Sequence, residues 1–279
     1  MSPVTIFNMP ITEDGVVIVD RKQLVDAAEH KHACASPALP EGTTCAAAAP
    51  APPATASAPN SMPELLKALQ QAIDEEKATG QVAINAVDQT PESTARLSAR
   101  VQALLSAYTS SNSGDWQRYA MFNDIHYVRN LVESNDDFEL IVLCWSRGQV
   151  SRVHNHANAH CWLAVLDGEM RETQFQRAPA PPGCPAPDAE DAERDGSTVY
   201  VEPTKVSDMR VGDAGYINDS LALHNVGCYM PALAPGEQGP RGGVTLHCYA
   251  PPIRRVKIYE DSKVTERVPG YYSKGGERV

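Results

Sequence analysis

The chain has 279 residues, a formal net charge of -11 and an isoelectric point near 5.2. It contains no block of Lys and Arg of the kind that follows phosphates, so we expect no nucleic-acid partner. The first residues lack the basic segment and long apolar run of a signal peptide, and no apolar run is long enough to span a bilayer. Seven cysteines without a C-x-x-C pair predict free thiols and therefore the reducing cytoplasm.

The composition changes near residue 60. Residues 1–60 include a tract rich in Ala and Pro with few large apolar side chains to offset the entropy of ordering, so we expect a disordered extension. Residues 61–279 then form one folded domain. It begins with two predicted helices, one capped by Ser61 and one starting near Thr90, and a third helix is predicted over residues 116–122.

From residue 124 onward the pattern changes to short strands separated by turn residues. Residues 138–145 have the continuous apolar character of a strand that is buried on both faces. An Asp-Gly pair ending at Gly168 predicts a hairpin turn into a strand over residues 170–175. Because helices do not alternate with these strands, we predict a mainly β fold, a small β-barrel with the N-terminal helices packed on it. The predicted surface loops are 178–197 and 231–242.

The most informative stretch, Gly148 to Gly168, carries two histidines two residues apart. Residues i and i+2 of a strand share a face, so His154 and His156 are placed to bind one metal ion. The spacing G-x5-H-x-H-x4-C-x6-G resembles the first motif of the cupin family of small β-barrels, with Cys161 in the position of the usual glutamate. In cupins a histidine of a later strand completes the metal site, and His224 has a fitting position here.

Several further segments resemble the cysteine dioxygenase family. They occur in the family's order over roughly residues 62–275, whereas residues 1–60 and the two predicted loops look like additions. The segments are Tyr127-Val-Arg-Asn-Leu-Val, Cys144-Trp-Ser-Arg-Gly, Glu172-Thr-Gln-Phe, Tyr216-Ile-Asn-Asp-Ser, Thr245-Leu-His-Cys-Tyr-Ala-Pro-Pro, Lys263-Val-Thr and Tyr272-Ser-Lys.

The resemblance implies a mononuclear site for ferrous iron, Fe(2+), held by His154, His156 and His224. Three histidines leave three positions of an octahedral ion, enough for a thiolate, an amine and dioxygen. Neutral imidazoles keep the site at +2, which favours an anionic thiolate because metal-bound thiols are deprotonated. A carboxylate ligand would weaken that attraction, and the absence of the cupin glutamate is consistent with this.

The resemblance also assigns the groups around the metal. Arg129 matches the arginine that binds the substrate carboxylate, and its planar fork suits bidentate recognition. Tyr127 shares its strand face. Thr245, His247 and Tyr249 fall at alternate strand positions, so they share a face, and they match a Ser-His-Tyr line of the family. In this line His247 orients the Tyr249 hydroxyl.

Cys161 and Tyr249 match the pair that forms a thioether cross-link in eukaryotic-type members of the family. Many bacterial members have glycine at the cysteine position, so Cys161 indicates a eukaryotic-type enzyme.

The function that the resemblance implies is oxidation of L-cysteine with O2 to cysteine sulfinate, a step of cysteine catabolism towards taurine and sulfate. Two alternatives stay open at this point. One is a dioxygenase for another small thiol, such as 3-mercaptopropionate or cysteamine, although cysteamine lacks the carboxylate that Arg129 would bind. The other is a non-catalytic cupin that binds metal. We expect a cytoplasmic monomer.

Overall fold

This computed structural model describes residues 58–81, 83–189, 193–234 and 236–279. The tract rich in Ala and Pro lies almost entirely outside the described residues, so the disorder of residues 1–60 stays a prediction. The first described helix starts at Met62, one residue after the predicted domain boundary, and the boundary itself stays a prediction.

In the described part of the chain two α-helices precede the strands, and each begins at a capping residue that the sequence indicates. Helix α1 spans Met62–Ala78, and the Ser61 side chain accepts a hydrogen bond from an amide of its first turn at 3.4 Å. Helix α2 spans Pro91–Ser110, with Thr90 as its cap. The third predicted helix is a 3-10 helix of five residues, Asp115–Tyr119. Within the described ranges, no helix is both long and apolar enough to cross a membrane.

The strands follow the helices in the chain. In order they are β1 (Val128–Ser134), β2 (Glu139–Ser146), β3 (Val153–His154), β4 (His160–Asp167), β5 (Glu169–Ala178), β6 (Tyr200–Arg210), β7 (Ala214–Ile217), β8 (Leu223–Gly227), β9 (Gly242–Ala250), β10 (Val256–Glu260), β11 (Lys263–Arg267), β12 (Ser273–Lys274) and β13 (Glu277–Arg278). They form two sheets, with the orders β13-β12-β1-β2-β9-β4-β7 and β11-β10-β3-β8-β5-β6. The prediction of a mainly β fold with helices packed on it is confirmed, and the described strands form two sheets rather than one closed barrel.

The central strands of the first sheet are buried on both faces, and the two faces pack against different partners. On β4, Trp162 and Ala164 belong to the core shared with α1 and α2, whereas Cys161 and Leu163 belong to the core between the two sheets. This follows from the strand geometry, because successive side chains point to opposite faces. The apolar run predicted over residues 138–145 is β2, which alternates between the same two cores.

The predicted hairpin at Gly168 is wrong. Gly168 does turn the chain, with a φ of 74°, but β4 pairs with β7 and β9 whereas β5 pairs with β6 and β8. A Cβ atom on Gly168 would lie 2.5 Å from the carbonyl oxygen of Gly242, so the backbone of β9 crosses the turn closely. The Asp-Gly pair therefore takes the chain from one sheet to the other.

The H-x-H pair does not lie on one regular strand either. Strand β3 ends at His154, and the chain turns through Ala157 and Asn158, which have φ angles of 51° and 66°. The Asp219 carboxylate accepts hydrogen bonds from the backbone amides of His156 and Asn158 at 2.6 and 2.8 Å. The position of His156 is therefore set by this loop and by Asp219 rather than by strand alternation.

Candidate active site

A cavity of about 470 Å³ lies where side chains of both sheets meet the segment before β12. Tyr127, Arg129, His154 and Tyr249 line it, so four residues that the sequence indicates share one space. Tyr271, which the sequence does not indicate, forms part of the same wall.

The three predicted metal ligands lie together at the buried side of this cavity. His154 on β3 is directly opposite His224 on β8, and their ring centroids are 4.7 Å apart. The ring of His156 is 4.6 Å from that of His224. One nitrogen of each histidine lies within 4.8 Å of the other two, which is the arrangement that one metal ion requires.

Hydrogen bonds fix the orientation of two of these rings. Nδ1 of His154 lies 2.9 Å from the backbone carbonyl oxygen of Arg152, and Nδ1 of His224 lies 2.8 Å from a Glu172 carboxylate oxygen. Both partners are acceptors, so both rings carry their proton on Nδ1 and present an unprotonated Nε2. Burial, followed by the charge of His156, lowers the pKa of His154 to about 3, and the same causes lower the pKa of His224 well below its usual value.

The third ring supplies a test of whether these residues fit a cation. Nδ1 of His156 lies 3.4 Å from an Asp219 carboxylate oxygen without forming a hydrogen bond, and its Nε2 lies 3.0 Å from Nε2 of His224. A carboxylate beside Nδ1 favours the proton there, because an unprotonated nitrogen would be repelled. Two nitrogen lone pairs then face each other at 3.0 Å, which a bound cation stabilises. The residues present fit a metal ion.

A line of hydrogen bonds runs behind the cavity. Trp145 Nε1 donates to the Thr245 hydroxyl at 2.9 Å, the Thr245 hydroxyl lies 2.9 Å from His247 Nε2, and His247 Nδ1 lies 3.2 Å from the Tyr249 hydroxyl. Trp145 also stacks on Tyr127, with ring centroids 4.4 Å apart. The order of the predicted Thr-His-Tyr line is thus present, with an indole at its far end. Burial lowers the pKa of His247 well below its usual value, so the ring is neutral.

Cys161 and Tyr249 are direct neighbours across β4 and β9. Opposite residues of an antiparallel pair have Cβ atoms about 4.5–5.5 Å apart, which is within reach of a Cys-Tyr contact. Both side chains are buried, and burial raises the pKa of each well above its usual value. A neutral thiol and a neutral phenol therefore face each other beside the histidines.

Arg129 is one of three arginines that line the cavity; the others are Arg152, which pairs with Glu260, and the exposed Arg267. The Arg129 guanidinium lies over the rings of Tyr249 and Tyr271, 5.7 Å from each centroid, and Nη2 is 3.5 Å from a Glu139 carboxylate oxygen. Its Nε is buried without a hydrogen-bond partner. Burial alone lowers the pKa of Arg129, but the neighbouring Tyr249 and Glu139 offset it and the pKa is raised. A permanent cation with spare donors thus faces the cavity.

Comparison with known families identifies the chain. A family model described as "Cysteine dioxygenase type I" matches residues 76–262.

The chain belongs to the cysteine dioxygenase type I family.

Three curated relatives agree. The Rattus norvegicus protein named "Cysteine dioxygenase type 1" is 36% identical over 188 residues, which are 64% of this chain and 78% of the relative. The Danio rerio protein of the same name is 33% identical over 190 residues, covering 64% and 79%. The Homo sapiens protein of the same name is 35% identical over 188 residues, covering 64% and 78%. The match to the cysteine dioxygenase family leaves out Tyr271, which lies beyond residue 262.

Sequence reasoning missed four residues of this cysteine dioxygenase family site. Glu172 and Asp219, beside two of the histidines, both lie within segments that carry the resemblance, so a signal for them was present. Glu139 is a lone acid in an apolar run, an unusual residue for a fully buried position. Tyr271 has no local signal.

His160, which follows the metal motif, lies on the face of β4 that is opposite to Cys161. Its ring nitrogens form hydrogen bonds with Gln89 at 2.6 Å and with Tyr216 at 2.7 Å, so it does not join the three histidines.

Proposed function

We propose that this protein is a thiol dioxygenase that oxidises L-cysteine with dioxygen to cysteine sulfinate. One observation carries the proposal: His154 lines the same cavity as Arg129, an arginine with mostly unpaired donors, and converges there with the buried His156 and His224. Membership of the cysteine dioxygenase type I family supports it. The reaction would be a step of cysteine catabolism towards taurine and sulfate.

His154, His156 and His224 would hold ferrous iron, Fe(2+), through their Nε2 atoms. Imidazole nitrogen suits several transition metals, and the family supports iron among them. Bound ferrous iron supplies the redox capacity and the open coordination positions that oxidation of a thiol by dioxygen needs. Glu172 and the Arg152 carbonyl keep two of the rings in the tautomer that leaves Nε2 free.

Arg129 would bind the substrate carboxylate. Its half-buried guanidinium cannot lose its charge and offers a fork of donors to two oxygens. Tyr127 lies in the same wall, where stacking on Trp145 fixes its ring. A small amino acid held by its carboxylate places its thiol towards the histidines, and this positioning is worth several orders of magnitude in rate.

The Thr-His-Tyr line would direct a proton into the cavity. Trp145 is a donor only, so the Thr245 hydroxyl accepts from it and donates its own proton to His247 Nε2. His247 is then protonated on Nδ1 and donates to the Tyr249 oxygen. The hydroxyl proton of Tyr249 is left free to point at the substrate. A thioether between Cys161 and Tyr249 would hold the phenol in that orientation.

The cellular setting remains a prediction. The described cysteines 144, 161, 184, 228 and 248 are free thiols, which supports a reducing compartment such as the cytoplasm. We keep the monomer as our expectation for the oligomeric state.

Oxygen uptake with three thiols tests the function. The iron-loaded protein should consume oxygen with cysteine faster than with 3-mercaptopropionate or cysteamine. Losing one partner of a buried charge pair costs about 2–5 kcal/mol, so Arg129→Ala should reduce kcat/KM for cysteine by roughly 30- to 1000-fold. The same variant should discriminate far less between cysteine and cysteamine, because only cysteine has a carboxylate.

Arg255→Ala is the matched control, since Arg255 is exposed and paired with Glu266 at 3.2 Å. Arg255→Ala should keep the wild-type preference for cysteine over cysteamine. If Arg129→Ala also keeps this preference, the substrate carboxylate is bound elsewhere and cysteine loses its main support as substrate. Greater efficiency with 3-mercaptopropionate would establish the alternative dioxygenase, and metal binding without any oxygen uptake would establish a non-catalytic cupin.

A further inference from the structure

Glu139 is a fully buried acid next to the candidate substrate site. It is the first residue of β2, and its cross-strand neighbour is Tyr249, which in turn neighbours Cys161 on the next strand. The three residues therefore form one row on the face of the sheet that looks into the site. A buried acid costs free energy unless its oxygens are well paired, so its partners are informative.

Three donors surround this carboxylate, and they come from three different parts of the chain. One oxygen accepts a hydrogen bond from the Ile253 amide at 3.1 Å and lies 3.5 Å from Nη2 of Arg129. The other oxygen accepts a hydrogen bond from the Tyr271 hydroxyl. All three groups can donate to this carboxylate, which is the pairing that a buried carboxylate needs. Burial, followed by the hydrogen bond to Glu139, raises the pKa of Tyr271 to about 12, which keeps the phenol protonated and donating.

The contact with Glu139 is the only hydrogen bond of the Arg129 guanidinium within the described ranges, and at 3.5 Å it is a long one. The arginine is therefore compensated in charge by Glu139 while most of its donors remain available. Before any substrate binds, the pair is close to neutral.

We propose that Glu139 is a specificity-determining residue that acts through Arg129: it sets how strongly the site prefers anionic thiols over cationic ones. The inference rests on the proposed function, because it takes Arg129 as the group that receives the substrate carboxylate. Neither the match to residues 76–262 nor the names of the relatives assign a role to Glu139, and Tyr271 lies outside the match.

The physical argument is one of charge at short range. A substrate carboxylate on the free side of Arg129 feels the attraction of the guanidinium and the repulsion of Glu139 behind it. A substrate ammonium feels the reverse. Two unit charges about 7 Å apart interact by about 2 kcal/mol at an effective dielectric constant near 20, which corresponds to roughly 30-fold in binding. The carboxylate of Glu139 thus weakens the preference that Arg129 alone would impose.

Tyr271 and Glu139 also join the arginine to the wall of the cavity. The guanidinium lies over the Tyr271 ring, and the Tyr271 hydroxyl donates to the acid that pairs with that guanidinium. Tyr271 is therefore a positioning residue for the pair. Removing its hydroxyl loosens the arrangement but leaves the charge of Glu139 in place.

The test compares Glu139→Gln with the wild type. Glutamine keeps an acceptor oxygen for Ile253 and Arg129, and its NH2 group can donate to the Tyr271 oxygen, so the change removes mainly the charge. The iron-loaded proteins are titrated without oxygen by calorimetry, using 3-mercaptopropionate as the anionic probe and cysteamine as the cationic probe. In Glu139→Gln the ratio of the two affinities should shift towards 3-mercaptopropionate by about tenfold or more.

Glu133→Gln is the matched control, because Glu133 is an exposed glutamate on β1. It should leave the affinity ratio within about twofold of wild type, as expected for a solvated charge. Tyr271→Phe should weaken both probes to a similar extent. A Glu139→Gln protein whose ratio also stays within about twofold overturns the inference.

Folding and function are checked separately. Thermal unfolding shows whether Glu139→Gln is folded, and if it is not, Glu139→Asn removes the same charge and is subject to the same criterion. In aerobic assays kcat for cysteine should change less than KM, whereas a loss of kcat alone indicates a merely structural role and contradicts the inference. A wild type that oxidises no thiol refutes the proposed function, while the oxygen-free titrations still decide the role of Glu139.

Discussion

The two faces of β4 and β9 have the same burial and very different chemistry. On the outer face, Trp162 and Leu246 pack with the helices. On the inner face, Cys161, His247 and Tyr249 lie beside the candidate metal-binding histidines. Every residue of β9 from Gly242 to Ala250 is buried, so exposure alone does not distinguish the two faces.

The hydrogen-bond partners of the polar side chains distinguish the two faces. On the inner face, polar side chains form hydrogen bonds with one another behind the cavity, as in the line from Trp145 to Tyr249. On the outer face, His160 is held by Gln89 and Tyr216 and faces the helices. A buried histidine is thus a candidate ligand only when its free nitrogen points at other free nitrogens. Neighbouring histidines on one segment, such as His156 and His160, can therefore have unrelated roles.

The largest expected effect separates the two kinds of histidine. His224→Ala should lower metal affinity by more than about a hundredfold, because loss of even an outer partner of a ligand costs about 10- to 100-fold. His160→Asn, on the other face, should retain the metal. Metal analysis after gel filtration measures both, and full iron occupancy in His224→Ala would show that the three histidines are not the ligands.

The next effect concerns the outer face. Trp162 is fully buried against the helices and donates to Ser98 at 3.3 Å, so Trp162→Ala should lower the free energy of unfolding by roughly 3–5 kcal/mol. The folded fraction should keep its kcat/KM. Leu163→Ala, one residue along on the inner face, should lower both quantities. Denaturant titration measures the free energy of unfolding, and oxygen uptake measures kcat/KM. Equal losses of kcat/KM in the two variants would contradict the conclusion that the two faces have different roles.

A smaller effect is expected for Cys161 and Tyr249, which face each other across β4 and β9. Oxidation by O2 should couple Cys161 Sγ to the Tyr249 ring with loss of two hydrogens, and Cys161→Ser should turn over about two- to tenfold more slowly because the phenol is held less firmly. Mass spectrometry of peptides after aerobic turnover detects the coupled pair. Finding both residues only in unmodified peptides would rule the bond out.

The smallest effect is expected from removing residues 1–60. We expect residues 1–60 to form no packed core, so the chemistry should need only the part of the chain from Ser61 onward. A chain starting at Ser61 should therefore keep its kcat/KM within about tenfold of the full chain. Steady-state oxygen uptake measures it. A larger loss would mean that the extension packs on the domain, and the comparison of the two faces would then be incomplete.

Local signals predicted much of this structure. The helix starts at Ser61 and Thr90 follow from capping chemistry, which needs only a few neighbouring residues. The three histidines were found from a short motif and a resemblance. The prediction of a hairpin at Gly168 was wrong because the local sequence does not determine which sheet the following strand joins. That choice depends on the backbone of β9, which approaches the turn closely at Gly242.

The same reason explains why the contact between Glu139 and Tyr271 was missed. The two residues are 132 positions apart, and neither has a neighbour that predicts the other. A resemblance identifies residues that a family shares, whereas a long-range pair outside its motifs becomes visible only when the chain is folded.

The parallel pairing of β12 with β1 also has a consequence for the order of events during translation. Asn130 and Ser273 are joined by a hydrogen bond at 2.8 Å across a separation of 143 residues. Ribosomes add about 5–20 residues per second, so β1 emerges roughly 7–30 s before its partner. Throughout that interval the edge of β1 is unpaired and the wall at Tyr271 does not exist. The nascent chain therefore contains all three histidines of the cluster before the wall at Tyr271 is made, and the unpaired edge of β1 is open to pairing with other chains during that interval.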